Sequence, residues 1–158
     1  MKNILKLSLA VVAIAALSAC GGGDSSDAAD SYTGNWKSNC YKFTSTNGNS
    51  YYGQQLLTFS KASASELAGN YSKGVAYTDA GCTNVAGNLD TGPAFKVNIG
   101  AETTFLGAVA KAMVYTFADG QARQGFITAD ATKMNFVITD ATGVRPGGWG
   151  ASSPYTKQ

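Results

Sequence analysis

The sequence predicts an all-β domain, and three observations support this prediction. Tyr, Phe, Thr, Val and Ile alternate with polar residues in short runs, as half-buried strands require. Gly, Asn and Asp interrupt these runs at short intervals. No segment combines helix caps with a helical apolar period over three turns. About eight strands joined by short turns suit an antiparallel up-and-down β-barrel, and the alternative is a two-sheet β-sandwich.

The alternation of apolar residues predicts where the strands lie along the chain and which side chains share a face. In residues 95–99 the odd positions are apolar, and Tyr71, Val75 and Tyr77 are expected to share one face of their strand. Asp119-Gly120 predicts a hairpin with a primed turn. The segment Ala101–Ala112 has room for one short helical turn. The predicted strands are Thr33–Phe43, Tyr51–Ser60, Glu66–Tyr77, Asn84–Leu89, Ala94–Ala101, Ala108–Phe117, Gln121–Ala129 and Lys133–Thr139.

The N-terminal segment has the pattern of an export signal. Lys2 and Lys6 provide positive charge, and the run Leu7–Ala16 is nearly all Leu, Val, Ile and Ala. This run is shorter than the roughly 20 apolar residues that span a bilayer as a helix. Leu-Ser-Ala then leads into Cys20. The alternatives at this point are an ordinary signal peptide with a chance Cys and a signal that ends at a modified Cys.

The Leu-Ser-Ala-Cys sequence resembles the lipobox of bacterial lipoproteins. The resemblance implies that residues 1–19 are removed and that Cys20 carries a diacylglycerol and a further acyl chain such as palmitate. Gly21, in place of Asp, implies sorting to the outer membrane. Residues 20–30 contain no bulky apolar side chain, so they are expected to form a flexible linker to a domain over residues 31–158.

Charge and composition exclude several classes of function. The domain has 10 basic and 7 acidic residues without a basic cluster, which argues against nucleic-acid binding. The chain contains no His, which excludes Ser-His and Cys-His nucleophiles and Cys/His metal sites. Most of the domain's Asp residues stand in predicted turns, where Asp hydrogen-bonds the local backbone. We therefore predict no catalytic residue, metal or cofactor; a carboxylate pair assembled by folding is the enzymatic alternative.

Two cysteines remain in the domain, Cys40 and Cys82. An exported protein folds in an oxidising compartment, so the pair is predicted to form one disulfide that closes a loop of about 40 residues. A reactive thiol and a metal-binding pair are the alternatives.

Gly34-Asn35-Trp36, at the start of the first predicted strand, resembles the Gly-x-Trp motif of lipocalins and related calycin barrels. The resemblance implies that Trp36 plugs the closed end of the barrel and that Arg123, from a late strand, packs across it. Together with Cys40 and a Tyr-x-Asp turn before Cys82, the motif is also similar to that of small exported bacterial proteins of an uncharacterised family.

Two functions follow as expectations. An outer-membrane lipocalin-like barrel would bind a small apolar ligand through inward-facing side chains, and our candidates are Phe59, Tyr71, Tyr77, Tyr115, Phe117, Phe126 and Phe136. The alternative is an envelope protein-interaction or enzyme-inhibitor module whose barrel is filled by its own side chains. Its aromatic contact groups would be Tyr41, Tyr51, Tyr52, Trp149 and Tyr155. In this module the tail, residues 144–158, is a candidate for sealing the barrel or for binding. The expected partners are the membrane and either a small apolar ligand or an envelope protein.

Overall fold

Ten β-strands and one short 3₁₀ helix make up the computed structural model, which describes residues 27–89, 91–140 and 147–158. The 3₁₀ helix Asp30–Tyr32 comes first. The strands are β1 (Gly34–Ser38), β2 (Tyr41–Thr44), β3 (Ser50–Lys61), β4 (Glu66–Tyr77), β5 (Val85–Leu89), β6 (Phe95–Phe105), β7 (Ala108–Thr116), β8 (Ala122–Ala129), β9 (Lys133–Ile138) and β10 (Tyr155–Lys157).

Eight of these strands form a closed antiparallel ring. Its order is β1-β3-β4-β6-β7-β8-β9-β10, and β10 pairs back to β1. Each ring strand lies beside the next ring strand along the chain, so the topology is up-and-down. Closure leaves the ring without a free edge. The predicted barrel is confirmed, and the sandwich alternative is wrong.

The other two strands, β2 and β5, widen one end of the ring. The first half of β3 pairs with β2, and its second half pairs with β1. In the same way β4 pairs with β6 through its first residues and with β5 through its last ones. The β3–β4 hairpin therefore continues past the ring as a four-stranded sheet, β2-β3-β4-β5, which we call the extension.

A disulfide joins Cys40, just before β2, to Cys82 in the β4–β5 turn, with an S–S distance of 2.06 Å. The predicted pairing is confirmed, and it ties two parts of the extension that lie far apart in the sequence. The reactive-thiol and metal-pair alternatives are wrong for this state of the protein.

The two ends of the barrel differ. The chain enters at one end, which we call the closed end. There the Ala29 N–H donates to the Ala64 carbonyl at 3.0 Å, and Lys61 forms ion pairs with Asp27 and Asp30. Ala29 is completely buried. Residues 27–30, expected in the flexible linker, therefore belong to the folded domain, because burial and ion pairs offset the entropy lost on ordering them. The opposite end, which we call the mouth, carries the extension.

Most predicted strands are confirmed, with local differences at turns. The first predicted strand breaks at Asn39-Cys40 into β1 and β2. The helical turn considered for residues 101–112 is absent: β6 and β7 meet there in a two-residue turn, Leu106-Gly107, with φ of +52° and +77°. The last strand, β10, was not predicted because three residues show too little alternation to be recognised.

The hairpin predicted at Asp119-Gly120 is present, but its turn type differs. The Gly120 N–H donates to the Phe117 carbonyl at 3.0 Å, and Gly120 has a φ of +84°, whereas Asp119 has no positive φ. This is a three-residue loop that ends in a left-handed Gly, the second common solution for a hairpin. The primed two-residue turn predicted here is wrong.

Candidate functional site

An apolar core fills the barrel interior. Every ring strand contributes a buried side chain to it, and these are Trp36, Leu57, Leu67, Phe95, Met113, Ile127, Met134 and Tyr155. Small barrels either fill their interiors in this way or hold one ligand. The interior of this barrel is therefore occupied by its own side chains.

Five of the seven candidate ligand-binding residues face this interior. Phe59, Tyr115 and Phe136 are buried in the core, while Tyr71 and Phe117 are partly buried against it. Phe95, at the centre, stacks on Tyr115 with ring centroids 4.5 Å apart. Their inward orientation is confirmed, whereas a ligand-binding role for them stays a prediction.

Phe126 does not face the interior, contrary to our expectation. Its neighbour Ile127 lies in the core, so strand alternation turns Phe126 outward. There its ring stacks on Phe105 at 4.4 Å, and Trp149 packs against Phe105 at 4.8 Å. These rings form a second apolar cluster, with Ala110 and Val137, on the outside of the ring. We call it the outer cluster.

Tyr77 is also placed differently from our expectation. The β3–β4 register shifts by one residue, since Leu56 lies opposite Lys73 and Leu57 opposite Tyr71. This bulge reverses the alternation along β4, so Tyr71 faces inward while Val75 and Tyr77 face outward. Tyr77 lies opposite Tyr52, and its Oη donates to Gln54 Oε1 at 3.3 Å.

Trp36, predicted to close the barrel, is completely buried, and its cationic neighbour is not Arg123. The Trp36 indole N–H donates to the Tyr32 carbonyl at 2.8 Å, which fixes it against the N-terminal segment. Lys157 Nζ, from β10, lies 5.2 Å from the Trp36 ring centroid. The guanidinium of Arg123 lies 4.9 Å from the ring of Phe117, at the mouth. Sequence reasoning missed Lys157 because the strand that carries it was not predicted.

Three neighbouring phenols lie where the core meets the mouth. The phenol of Tyr71 interacts with those of Tyr115 and Tyr155, and the Tyr155 hydroxyl donates to Ser152 Oγ at 2.8 Å. We call the three residues the tyrosine chain. Burial is the largest cause that raises the pKa of each phenol above the ordinary tyrosine value of 10.0. Tyr155, expected as a surface contact group, is completely buried.

A cleft of about 370 Å³ opens above the tyrosine chain. Its walls are mostly aromatic or apolar, with the Gln55 amide as a polar group and Arg123 beside Phe117 at the rim. Its lining consists of Gln55, Tyr71, Gly92, Pro93, Ala94, Phe95, Tyr115, Phe117 and Ala118. We call it the mouth cleft, and none of the residues in this lining carries a carboxylate.

The inner face of the extension continues the mouth cleft as a row of aromatic rings. Along β3 the inward positions run from Leu57 in the core through Gln55 to Tyr51. Phe43 lies opposite Tyr51 in the β2–β3 register, and its ring centroid is 6.0 Å from that of Tyr41 and 6.1 Å from that of Tyr51. All three rings are half-buried. We call this row the aromatic strip.

Two carboxylates of the described residues, those of Asp79 and Asp130, cap turns. Asp79 accepts N–H bonds from Gly81, Thr83 and Asn84, and Asp130 accepts them from Thr132 and Lys133. These hydrogen bonds lower the pKa of both carboxyls. Within residues 27–89, 91–140 and 147–158, no three potential metal ligands lie together.

The predicted lipidation site, Cys20, and the predicted signal peptide lie outside the described residues. In the described part of the chain, no helix is both long and apolar enough to cross a membrane. The fold and the mouth define the class of protein as an all-β barrel with a filled interior and an aromatic opening. No protein-family model, curated protein or solved structure matches the chain.

Proposed function

We propose that this chain is a lipid-anchored binding module of the bacterial cell envelope that captures a protein partner at its mouth. The observation that carries the proposal is the separation of the two ends. The chain enters at the closed end, beside the β3–β4 turn, whereas the aromatic strip and the mouth cleft lie at the opposite end. An anchor at Cys20 would therefore leave the mouth directed away from the membrane.

The filled interior favours a protein partner over a lipid enclosed within the barrel. Each ring strand already contributes a side chain to the space that such a ligand would occupy. The aromatic strip instead presents half-buried rings on an open sheet face. Tyr and Phe are enriched at protein interfaces because they bury a large area at a low cost in conformational entropy.

The anchoring part of the proposal is tested by replacing the acceptor thiol. Cys20→Ala is expected to leave the protein in the soluble envelope fraction, while the parent chain sediments with membranes. Membrane retention of Cys20→Ala would refute the lipid anchor, whatever the mouth binds.

The binding part is tested by photo-crosslinking in the living cell. A photoreactive residue at Tyr51, within the aromatic strip, is compared with one at Val114, which is 40% exposed on the flank of the barrel. We expect a discrete protein adduct from position 51 that is absent from position 114. The adduct should disappear when Phe43→Ser interrupts the strip. Adducts of equal yield at both positions, or none at position 51, would refute capture of a protein at the mouth.

A second candidate function is the binding of a small apolar molecule, and the mouth cleft is the observation that favours it. Its volume, about 370 Å³, falls at the lower end of ligand sites, which are roughly 300–1,000 Å³. Native mass spectrometry of the protein purified from its own envelope tests this function. A small molecule retained at near-equal stoichiometry, and lost in Phe117→Ser, would support it. A bare protein mass would refute it.

A further inference from the structure

The β6–β7 turn places an apolar side chain at an exposed position that its backbone disfavours. Leu106 has a φ of +52°, and Gly107 follows with a φ of +77°. In a two-residue turn of this kind the first position normally holds Asn, Asp or Gly, because other residues crowd the backbone there. The Leu106 side chain is nevertheless 56% exposed, so it gains little from packing within the described fold.

The surroundings of the turn are uncharged. Residues 103–110 contain no ionisable side chain. The Glu102–Lys111 ion pair, at 3.5 Å, marks the limit of this stretch. Val109 is 65% exposed, whereas Phe105 is buried in the outer cluster. One face of this ribbon thus packs on the barrel, and an apolar patch of Leu106 and Val109 remains in solvent.

The ribbon leaves the barrel near the end at which the chain enters, and its Phe105 side packs back onto the outer wall at Phe126 and Trp149. The Ile99 N–H donates to the Ser65 carbonyl at 2.8 Å, and the neighbouring Ala64 carbonyl accepts the Ala29 N–H. Strand β6 continues for six residues beyond Ile99 to Phe105. Cys20 precedes Asp27 by seven residues, which span at most about 25 Å even when fully extended.

We propose that the apolar patch of Leu106 and Val109 contacts the lipid surface of the membrane that holds Cys20. The inference rests on the proposed anchor at Cys20, since two side chains alone give only weak membrane affinity. A tether this short keeps the patch near the bilayer, so even a weak contact is populated. The contact would fix the orientation of the barrel relative to the bilayer.

The test uses the chain from Cys20 onward, which contains the whole described fold, coupled chemically to vesicles. With Cys40 and Cys82 in a disulfide, Cys20 is the one thiol available for coupling to a maleimide-headgroup lipid in phosphatidylcholine vesicles. This coupling makes the test independent of natural acylation. Val109→Trp serves as the fluorescent reporter, and brominated phosphatidylcholine in the vesicles is the quencher. Because the parent chain already contains two Trp residues, its signal is subtracted. The matched control is Val85→Trp, a strand Val that is 67% exposed in the extension.

We expect brominated lipid to quench the Val109→Trp emission at least about twofold, as for a side chain at the headgroup boundary, and to leave Val85→Trp unchanged. Adding Leu106→Asn to the reporter should abolish most of the quenching. Asn suits the first position of this turn, so the variant should fold at least as well as the parent. Equal quenching at both positions, none at position 109, or quenching that Leu106→Asn leaves intact would overturn the inference. Release of Cys20→Ala from native membranes is a separate result and tests only the anchor.

Discussion

Replacing Gly69 by Ala tests how the barrel core is packed. Gly69 lies opposite Phe95 in the β4–β6 register, and the Phe95 ring covers it. A Cβ at position 69 would lie 2.2 Å from Phe95 Cε2 and 2.4 Å from Cζ, so the ring must move by more than 1 Å to reach the usual contact distance of about 3.5–4.0 Å. Tyr115 stacks on this ring at 4.5 Å and Phe59 packs edge-on at 5.8 Å, so the movement displaces both.

Overpacking of a well-packed core costs about 1–3 kcal/mol, and we expect Gly69→Ala to lie near the upper limit because three aromatic rings must shift together. Urea unfolding, followed by the fluorescence of the buried Trp36, measures the change in the free energy of unfolding. Gly87→Ala is the matched control, since no atom lies within 4 Å of a Cβ built there. We expect the control to be neutral or to stabilise by about 0.4–1 kcal/mol through the unfolded state. The reasoning fails if the two variants have the same stability.

Three further predictions concern the disulfide and the titrating groups. Replacing both disulfide cysteines by Ala should lower the free energy of unfolding by about 3–4 kcal/mol in the chain-entropy model, measured by urea unfolding; an unchanged midpoint would contradict it. Hydrogen bonds hold the folded pKa of Asp79 below 3.8, so its stabilisation is present above that pH and is lost as the pH falls through the folded pKa. Asp79→Asn should therefore flatten the acid limb of stability against pH, and an unchanged limb would count against this assignment. The tyrosine chain has folded pKa values above 10.0, so its stabilisation is complete below pH 10 and declines above it. Absorbance at 295 nm should show at least three tyrosines that ionise only as the protein unfolds, and their early ionisation in the folded state would contradict the buried chain.

Local sequence features predict much of the fold because they act over a few residues. Alternation in residues 95–99 identifies a strand with Phe95, Val97 and Ile99 inward, and all three are buried. The even spacing of strands and turns indicates the closed barrel, and the export context indicates the Cys40–Cys82 disulfide. The Gly-x-Trp motif predicts a core position for Trp36, and Trp36 is completely buried against the N-terminal segment.

The candidate site depends on features that local patterns do not contain. The bulge that turns Tyr77 outward follows from the pairing of β4 with β3, because the extra residue is defined only relative to a partner strand. The aromatic strip exists because β2 and β3 bring Tyr41, Phe43 and Tyr51 onto one face. The tyrosine chain likewise joins residues of β4, β7 and β10.

The sequence by itself therefore determined the class of the fold, the order of most strands and the disulfide, since each rests on composition or on spacing along the chain. The tertiary structure alone decided that the barrel is filled, that Lys157 rather than Arg123 lies over Trp36, and that the mouth lies at the end opposite the chain entry. The physical reason is closure of the ring. Side chains from strands up to about 120 residues apart meet only when β10 pairs with β1, and those contacts leave no periodic signal in the sequence.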